Sequence, residues 1–303
     1  MVDVCIIGFG PAGMGTALYS KRAGLETLIL EGTGVSGGQI LQTYEVDNYL
    51  GMPGINGFDM GMAFRQHVDG LEVPVKDGTV DSIEKTPEGF LVHLQQETIA
   101  TKTVVVATGA SHNLLQVPGE EALTGMGVSY CATCDGAFFR GKKVVVAGGG
   151  DVALEDAIFL ARFCEKVTLV HRRDALRGAK ILQDTLLSLP NVEVVWNTKI
   201  TEIKGSDQVE AVSIENVLTK EQQDMPVDGV FIAVGTHPNT EFMGELVEKD
   251  SSGYLVAGED CATSVPGIFA VGDVRTKALR QVITAVADGA NAVTSIQSYL
   301  LHH

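Results

Sequence analysis

Two cysteines near the middle of the chain have the spacing of a redox-active pair. Cys131 and Cys134 are separated by two residues and are followed at once by Asp135. Two intervening residues allow the sulfur atoms to bond to each other, and a flanking turn can lower the pKa of a thiol. The acid has two interpretations that the residues leave open, a proton-transferring group or a turn or helix cap next to Gly136. The spacing predicts dithiol–disulfide exchange.

A structural zinc site is the main alternative for such a pair. It would require four ligands, commonly including a second cysteine pair or a spaced pair of histidines. The three other cysteines are isolated, at Cys5, Cys164 and Cys261. We interpret them as small buried residues, because free cysteine packs like a small apolar side chain. The sequence thus favours redox chemistry over metal binding at Cys131 and Cys134.

A glycine-rich loop near the start of the chain has the spacing of a dinucleotide-binding turn. It follows an apolar strand at residues 2–7 and precedes a helical pattern at residues 14–23. The loop consists of Gly8, Phe9, Gly10, Pro11, Ala12 and Gly13. Such glycines permit a tight turn and let backbone N–H groups approach a pyrophosphate at a helix N-terminus. Glu31 ends the next predicted strand about 20 residues later, where a carboxylate bonds ribose hydroxyls, as in FAD or NAD sites.

A second glycine loop is followed by the opposite charge at the position that corresponds to Glu31. It lies between a valine-rich strand at residues 143–147 and a predicted helix at residues 154–163. The loop contains Gly148, Gly150, Asp151 and Ala153, and the next strand, residues 166–170, ends in a basic cluster of His171, Arg172, Arg173 and Arg177. Guanidinium groups here neutralise a 2′-phosphate through paired hydrogen bonds. The second loop therefore predicts NADPH, and the two loops predict two different nucleotides.

Length and composition limit the class of protein. The chain has 303 residues, which suggests about two domains, and 45% of them are hydrophobic, enough for packed α/β cores. Its formal net charge of −16 argues against nucleic acid or an anionic membrane as a partner. Because we find neither an apolar run long enough to span a bilayer nor a secretory signal, the sequence predicts a cytoplasmic protein with a transient, catalytic disulfide. His302 and His303 are native or a tag remnant and enter no functional prediction.

Three further strand-and-glycine segments predict how the chain is divided. Residues 103–109 and 230–235 each form a buried strand ending in a glycine turn, which closes one nucleotide unit. Residues 267–273 form another such strand, which leads to a helical segment at residues 281–300 without a phosphate loop. We therefore predict an α/β fold of two Rossmann-like, three-layer dinucleotide-binding domains, one inserted in the other. The predicted boundaries are 1–114 and 240–303 for the outer domain and 115–239 for the inserted domain.

The combination of these motifs resembles one enzyme family over nearly the whole chain. The sequence is similar to the low-molecular-weight, bacterial-type thioredoxin reductases, which are FAD-dependent pyridine nucleotide-disulfide oxidoreductases. The resemblance rests on residues 8–13, 37–39, 48, 107–109, 131–136, 171–173, 177, 272–273 and 280–281. Each motif alone is common, and their combination is specific.

The resemblance implies roles for residues at both ends of the chain. FAD would lie in the outer domain, with Glu31 on the adenosine ribose, Asp273 on the ribityl or pyrophosphate portion, and Gln39, Asn48 and Gln281 beside the flavin. The other residues implied for FAD are those of the first glycine loop together with Gly38, Ala107, Thr108, Gly109, Gly272 and Arg280. The second loop and its basic cluster would bind NADPH in the inserted domain.

The resemblance also implies how the cysteines act. Cys134 would lie against the flavin, Cys131 would attack the disulfide of thioredoxin or a thioredoxin-like protein, and Asp135 would transfer protons. Because the nicotinamide and the cysteine pair must reach the same flavin, we expect the inserted domain to rotate on connectors at residues 114–119 and 235–239. The family further implies a homodimer. The expected activity is NADPH-dependent thioredoxin-disulfide reduction.

One residue departs from the family pattern and keeps alternatives open. Val152 stands where the family usually has a serine, so it offers a pyrophosphate no hydrogen bond, a loss of about 1 to 3 kcal/mol if nothing replaces it. The alternatives are a ferredoxin-dependent flavin thioredoxin reductase and a flavin dithiol oxidase that uses oxygen. The ferredoxin-dependent relatives have lost the nicotinamide motifs, whereas this chain has the arginine cluster. A nucleotide-sensing module without catalysis is disfavoured by the cysteine pair.

Overall fold

Strand–turn–helix segments build two separate units of the chain. The computed structural model describes residues 1–32, 34, 36–43, 46 and 48–302, so His303 lies outside the described residues. The first unit comprises Met1–Leu41, Ile55–Ser111 and His237–His303, and the second comprises Gln42–Gly54 and His112–Thr236. The segment Gln42–Gly54 groups with the second unit, whereas the sequence prediction placed these residues in the outer domain.

Seventeen strands and six α-helices are present among the described residues. In chain order the strands are β1 (Val2–Ile7), β2 (Thr27–Glu31), β3 (Val75–Asp77), β4 (Val80–Thr86), β5 (Gly89–Leu94), β6 (Thr98–Val106), β7 (Ala110–His112), β8 (Val128–Ser129), β9 (Lys143–Gly148), β10 (Lys166–Val170), β11 (Val192–Val195), β12 (Thr198–Lys204), β13 (Ala211–Asn216), β14 (Gln222–Pro226), β15 (Gly229–Ala233), β16 (Thr236–Pro238) and β17 (Ile268–Ala270). The helices are α1 (Pro11–Arg22), α2 (Gly57–Asp69), α3 (Ala132–Asp135), α4 (Asp151–Leu160), α5 (Lys180–Ser188) and α6 (Val282–Leu300). Short 3₁₀ helices cover Gly38–Gln42, Gly136–Phe139, Glu241–Met243 and Gly272–Val274.

A seven-stranded sheet forms the centre of the first unit, in the order β3-β2-β1-β6-β5-β4 with β17 also paired to β6. Strands β1, β2, β3, β6 and β17 are parallel, and β4 and β5 add an antiparallel hairpin. In β1 the side chains of Val4, Cys5 and Ile6 are fully buried, as expected of a parallel strand covered on both faces. Val4 and Ile6 pack with residues of α1 and α6, and Cys5 packs with residues of β4 and β5.

A five-stranded parallel sheet, in the order β11-β10-β9-β15-β8, forms the centre of the second unit. On one face Val144 and Val146 pack with Leu154 and Leu160 of α4. On the other face the sheet packs with the antiparallel strands β12, β13 and β14. The second unit therefore has three layers, and the predicted α/β fold of two Rossmann-like units, one inserted in the other, is confirmed.

Two helices begin earlier than the glycine motifs predicted. Helix α1 starts at Pro11 instead of residue 14, and α4 starts at Asp151 instead of residue 154. Gly10 and Gly150 are the N-cap residues, so the third small residue of each motif lies in the first helical turn. Proline at the first helical position and an acid in the first turn both stabilise a helix start. Each helix N-terminus thus follows directly after the middle glycine of its loop.

The segments that pass between the units include a short pair of strands. Strands β7 and β16 pair with each other as a two-stranded sheet.

Among the described residues, no helix combines the length and the hydropathy that a membrane span requires.

Candidate active site

The cysteine pair lies directly after the edge strand β8 of the second unit. Cys131 is the N-cap of the single-turn helix α3, and its carbonyl accepts hydrogen bonds from the N–H groups of Cys134 at 3.2 Å and Asp135 at 3.1 Å. The two cysteines form a disulfide with Cα atoms 5.3 Å apart, and both are partly exposed. The predicted disulfide is therefore present, at the start of a helix where a thiolate is stabilised after reduction.

The acid beside the pair is bonded to a residue that the sequence motifs did not identify. Ser129 Oγ lies 2.5 Å from Asp135 Oδ2 and accepts the N–H of Cys131 at 3.1 Å. The other carboxyl oxygen, Asp135 Oδ1, is buried and has no hydrogen-bond partner in the described part of the chain. Burial raises the pKa of Asp135, and the Ser129 hydroxyl lowers it. Asp135 is thus half-buried, held by one oxygen, and suited to proton transfer at the other.

The only sequence signal for Ser129 was its spacing from the cysteines. A serine two residues before a turn commonly bonds nearby backbone groups, which accounts for its contact with Cys131. Its contact with Asp135 depends on the fold of α3, which returns the carboxyl toward β8. That contact cannot be inferred from the spacing alone.

The topology of the second unit places its functional loops at one edge. Strands β8, β9 and β10 belong to one parallel sheet, so their carboxyl ends lie at the same edge. These ends lead into Cys131, into the loop at Gly148 and into the basic cluster at His171. Ligands of parallel α/β sheets bind at this edge. The cysteine pair and the second glycine loop are therefore parts of one site region within the second unit.

In the second glycine loop, Gly148 and Gly150 have different roles. A Cβ atom on Gly148 would lie 2.5 Å from the carbonyl oxygen of Ala233 and 2.5 Å from the Cβ of Ala153, so this position is fixed by internal packing. A Cβ atom on Gly150 would meet no protein atom within 4 Å. Gly150 caps α4 in extended conformation without a side-chain cap. The loop therefore leaves open room at a helix N-terminus, which fits a phosphate group.

Two hydrogen bonds hold the arginine segment against this loop. Asp151 Oδ1 accepts the N–H of Ala179 at 2.6 Å, and the N–H of Arg177 donates to Gly149 O at 2.7 Å. Arg172, Arg173 and Arg177 are exposed, and none of them has an ion-pair partner among the residues that the structure describes. Three unpaired guanidinium groups beside an open helix N-terminus fit the additional phosphate of NADPH.

His171 has a different place from the three arginines. It is 5% exposed, and its Nε2 lies 3.1 Å from Ala175 O. A Cβ atom on Gly149 would lie 2.2 Å from the imidazole Nδ1, so the ring packs against the loop backbone. Burial lowers the pKa of His171, which keeps the ring neutral. His171 therefore packs against the backbone of the loop. The positive charge beside the loop comes from the three arginines.

The first glycine loop, in the first unit, repeats this division of roles. Gly8 has a φ of +105°, and a Cβ atom there would lie 2.5 Å from Ala107 O, whereas a Cβ atom on Gly10 would meet nothing closer than 3.8 Å. Gly10 caps α1 without a side-chain bond. Glu31 is buried at the end of β2, and its Oε2 accepts the N–H of Phe9 at 3.1 Å. The loop leaves room for a pyrophosphate and places a carboxylate beside it.

A half-buried acid near the C-terminal part of the first unit has one carboxyl oxygen without a hydrogen-bond partner among the described residues. Asp273 Oδ1 is buried and makes no hydrogen bond to any described residue. Burial raises the pKa of Asp273, while Lys277 and Arg280 lower it. Arg280 donates from Nε to Asp273 O at 3.4 Å, and its guanidinium lies 4.1 Å from the ring centroid of Tyr254. An orphaned carboxyl oxygen of this kind fits a hydroxyl donor of a bound cofactor.

A buried ion cluster that the motifs did not reveal fixes the backbone before Asp273. Asp288 of α6 accepts hydrogen bonds from Arg275 at 2.8 and 2.9 Å, from Lys277 at 2.8 Å and from the N–H of Gly272 at 2.8 Å. The side chains of Arg275, Lys277 and Asp288 are 4%, 7% and 5% exposed. The amino-acid sequence provided no indication of this cluster. Asp288 lies within a predicted helix, and its cationic partners Lys277 and Arg275 are 11 and 13 residues earlier.

Other predicted FAD residues lie in the same unit as the first loop, with one exception. Gln39 donates from Nε2 to Ala110 O, and Gly38 has a φ of +62° in the segment whose Gly37 N–H donates to Phe9 O at 3.0 Å. Asn48 is exposed and belongs to the segment Gln42–Gly54 that groups with the second unit.

The strand-end motif at residues 107–109 is fixed by an asparagine that the motifs missed. Asn239 accepts the Thr108 hydroxyl on its backbone oxygen at 2.7 Å and donates from Nδ2 to Thr108 O at 2.9 Å. Its N–H also donates to Gly109 O at 3.0 Å.

Gln281, another predicted FAD residue, caps α6, and its N–H donates to Thr284 Oγ1 at 3.1 Å.

The three remaining cysteines are free and buried, as predicted. Burial raises the pKa of Cys5 and of Cys261 to about 12 and that of Cys164 to about 11. These thiols are therefore protonated at neutral pH. Within the described ranges, no group of three or more His, Cys, Asp or Glu residues is placed to bind a metal ion.

Comparison with known proteins places this geometry in context. The family described as pyridine nucleotide-disulphide oxidoreductase matches residues 2–289. The chain is 44% identical to a thioredoxin reductase of Listeria innocua over 98% of this chain and 93% of that protein. It is 40% identical to a thioredoxin reductase of Bacillus subtilis over 98% of this chain and 94% of that protein. The crystal structure of thioredoxin reductase from Streptococcus pyogenes is similar with a TM-score of 0.96 and 45% identity, over 100% of this chain and 99% of that one.

Proposed function

The chain belongs to the pyridine nucleotide-disulphide oxidoreductase family, and we propose that it is an NADPH-dependent thioredoxin-disulfide reductase. The observation that supports this function best is the arrangement of the second unit. Its Cys131–Cys134 disulfide and its unpaired arginines follow strands that end at the same edge of one parallel sheet. An accessible disulfide and a cationic nucleotide loop are the two parts that electron transfer from NADPH to a protein disulfide requires.

We propose FAD as the cofactor of the first unit. Three features fit it, namely the room above Gly10, the buried Glu31 at the end of β2, and the orphaned Oδ1 of Asp273. When bound, FAD would supply a two-electron carrier between a nicotinamide and a disulfide. Glu31 would accept hydrogen bonds from ribose hydroxyls, and Asp273 would accept one from a hydroxyl of the cofactor. The roles of Gln39, Asn48 and Gln281 beside the flavin remain predictions.

We propose NADPH as the electron donor, bound at the second loop. The backbone after Gly150 would bind the pyrophosphate, and Arg172, Arg173 and Arg177 would bind the 2′-phosphate. Asp151 and His171 would act indirectly, because the carboxylate anchors Ala179 and the ring packs under Gly149. Val152 is 57% exposed and offers no hydroxyl, so the arginines must contribute a larger share of the affinity.

The thiols would then reduce a protein partner by disulfide exchange. The Cys131 thiolate attacks one sulfur of the partner disulfide, which forms a mixed disulfide and releases a partner thiolate. The Cys134 thiolate attacks Cys131 Sγ, which breaks the mixed disulfide, restores the Cys131–Cys134 bond and releases the second partner thiolate. Two electrons pass from the dithiol to the partner, and Asp135 exchanges a proton with the cysteine pair. The partner would be thioredoxin or a thioredoxin-like protein.

The wider architecture forms the last part of the proposal. Residues 1–114 and 240–303 would be the FAD domain and residues 115–239 the NADPH domain, which would rotate on its connectors during turnover. The protein would act as a cytoplasmic homodimer. A disulfide cross-link between the domains should abolish turnover, and full turnover in the cross-linked enzyme would exclude the rotation.

Anaerobic titration of the purified protein tests the electron path. NADPH should bleach the flavin absorbance at far lower concentration than NADH, and oxidised thioredoxin should then restore the colour. Bleaching without recolouring would exclude thioredoxin as the partner. If neither nucleotide bleaches the flavin, the proposed donor is wrong, and reduction by ferredoxin or by a small dithiol becomes the function to test.

A further inference from the structure

Ser129 is the buried hydroxyl that joins the cysteine pair to its acid. The side chain is on β8 and is 4% exposed. Its Oγ lies 2.5 Å from Asp135 Oδ2, 3.1 Å from the backbone N of Cys131 and 3.3 Å from the backbone O of Cys131. A hydroxyl has one proton to donate and two lone pairs that accept. Ser129 therefore accepts from the Cys131 N–H and has two oxygen atoms within reach of its single proton.

These distances match both protonation states of Asp135. When Asp135 is a carboxylate, the Ser129 hydroxyl donates to Oδ2, which is the shorter contact. When Oδ1 carries a proton, Oδ2 is the carbonyl oxygen of a neutral acid and still accepts the Ser129 hydroxyl, although more weakly. The Cys131 N–H bond persists in both states. No heavy atom has to move when Asp135 gains or loses its proton.

We propose that Ser129 is a positioning residue for the reduction of the Cys131–Cys134 disulfide, because its hydroxyl fixes Asp135 Oδ2 and leaves Oδ1 to exchange a proton with the cysteine pair. The proposal rests on the thioredoxin reductase function proposed above. Two electrons from NADPH, relayed within the enzyme, break the S–S bond and leave two thiolate equivalents. One proton passes from Asp135 to one of the sulfurs, and the resulting carboxylate accepts the Ser129 hydroxyl at Oδ2.

Few other charged groups can influence Asp135 from neighbouring elements. Helix α3 packs against α4 and the 3₁₀ helix at Gly136–Phe139. On α4 the titratable residues are Asp151, Glu155 and Asp156, and Arg140 follows the 3₁₀ helix. Asp156 is half-buried, and burial, with Glu155 nearby, raises its pKa to about 7. An Asp156→Asn background is therefore needed to separate its titration from that of Asp135.

The test compares Ser129→Ala with Ser129→Thr, both in the Asp156→Asn holoenzyme. Infrared difference spectra of the oxidised protein, with Asp135→Asn as the reference, report the carboxyl band of Asp135 directly and need no thioredoxin. A hydroxyl donates more strongly to a carboxylate than to a neutral acid, so its loss disfavours the charged form. We expect the pKa of Asp135 to rise by about one pH unit in Ser129→Ala and to return in Ser129→Thr.

Turnover provides the second readout. The pH profile of kcat/KM for oxidised thioredoxin should shift toward higher pH by the same interval in Ser129→Ala, with the KM for NADPH unchanged. An unshifted Asp135 titration in a folded Ser129→Ala protein would overturn the proposal, as would a shift that Ser129→Thr fails to reverse. If Ser129→Ala does not fold, Ser129→Val replaces it, because valine suits a strand and has the shape of the threonine variant without the hydroxyl. Because the infrared titration is independent of the partner, a protein that does not reduce thioredoxin would refute the function without deciding the role of Ser129.

Discussion

The two glycine loops have a similar backbone arrangement and differ in the charged side chains that lie beside them. In both loops the first glycine is fixed by protein packing and the middle glycine leaves room at a helix N-terminus. In the first unit the charge is Glu31, which is buried and already bonded to the Phe9 N–H. In the second unit the charges are Arg172, Arg173 and Arg177, which are exposed and have no ion-pair partner within the described ranges.

The difference follows from the groups that each loop would recognise. A ribose hydroxyl is neutral, so the carboxylate that binds it can be buried and held in place by the protein backbone. A 2′-phosphate is charged, and cations that were already neutralised by acids of the protein would have little attraction left for it. The first loop is therefore pre-organised by internal bonds, whereas the second keeps its charge available for the ligand.

The largest expected effect is a loss of stability when the first glycine of either loop is replaced, compared with replacement of the middle glycine. Gly8→Ala should lower the free energy of unfolding by about 2 to 5 kcal/mol, because it combines a positive φ with a 2.5 Å clash. Gly10→Ala should change stability little and still reduce FAD content, since its Cβ would occupy the open room. Urea unfolding and the flavin-to-protein absorbance ratio would measure both effects. Gly148→Ala and Gly150→Ala form the matched pair in the second unit, and equal destabilisation within either pair would refute the distinction.

Removal of the free cations should come next in size. A charge-assisted hydrogen bond contributes about 1.5 to 3 kcal/mol, so Arg173→Gln alone should raise the KM for NADPH roughly tenfold or more, and the triple variant with Arg172→Gln and Arg177→Gln further still. The KM for NADH should hardly change. Steady-state kinetics with both nucleotides would measure the ratio. Arg162→Gln, an exposed residue just beyond the other end of α4, is the control, and a parallel rise for NADH would contradict phosphate recognition.

A gain of function should follow from restoring the missing hydroxyl. Val152→Ser places a donor in the first turn of α4, where 57% of the valine is exposed. A hydrogen bond to the charged pyrophosphate contributes about 1 to 3 kcal/mol, which corresponds to a roughly five- to 150-fold lower Kd for NADPH. Fluorescence titration of the oxidised enzyme with NADP⁺, which has the same pyrophosphate and does not reduce the flavin, would measure the change in Kd. Val152→Ala, which adds no hydroxyl, should leave the Kd unchanged, and equal tightening in both variants would show that side-chain size is responsible.

The smallest expected effect is a difference in acid sensitivity between the units. Burial lowers the pKa of His171 below its ordinary 6.5, so the unfolded chain binds this proton more readily, and the contribution of His171 to stability falls as the pH drops below about 6.5. Burial alone would raise the pKa of Asp288, but Arg275 and Lys277 lower it below the ordinary 3.8, so its contribution is lost only in more acidic solution.

Trp196 makes the acid prediction measurable. It is the only tryptophan of the chain, it lies in the second unit, and its ring centroid is 6.5 Å from that of His171. Its emission maximum during urea unfolding should therefore report a midpoint that falls between pH 7 and pH 5. His171→Gln should flatten this dependence. A midpoint that falls equally in His171→Gln would assign the acid sensitivity to other groups.

The sequence predicted the parts of the molecule whose determinants are local. Apolar runs such as Val2–Ile7 predicted the parallel strands, and the small residues of the two loops predicted the turns that follow them. The starts of α1 and α4 were predicted three residues too late, because the whole glycine motif was assigned to the loop although its last three residues are helical. The fold class and the disulfide were also predicted correctly, because the strands, the turns and the cysteine spacing are each determined by residues that are adjacent in the sequence.

The unpredicted parts all depend on partners brought together by the fold. Ser129 contacts Asp135 only because α3 turns back toward β8, and Asn239 reaches Thr108 across 131 residues of sequence. Asp288 gave no signal because an acid in a helix is ordinarily solvated, whereas here two cations neutralise it. His171 was grouped with the arginines by its position, and its burial distinguishes it from them.

The burial of Cys5, Cys164 and Cys261 divides the five cysteines of the chain into two chemical populations. An alkylating reagent added to the native enzyme at neutral pH would encounter thiolate only at the reduced pair, because the other three sulfurs stay protonated and enclosed. Mass spectrometry of the intact chain would then count the electrons stored in the pair, with no cysteine replaced. The same reagent added after unfolding would label every thiol and calibrate the count, so the wild-type protein contains its own internal standard for redox titrations.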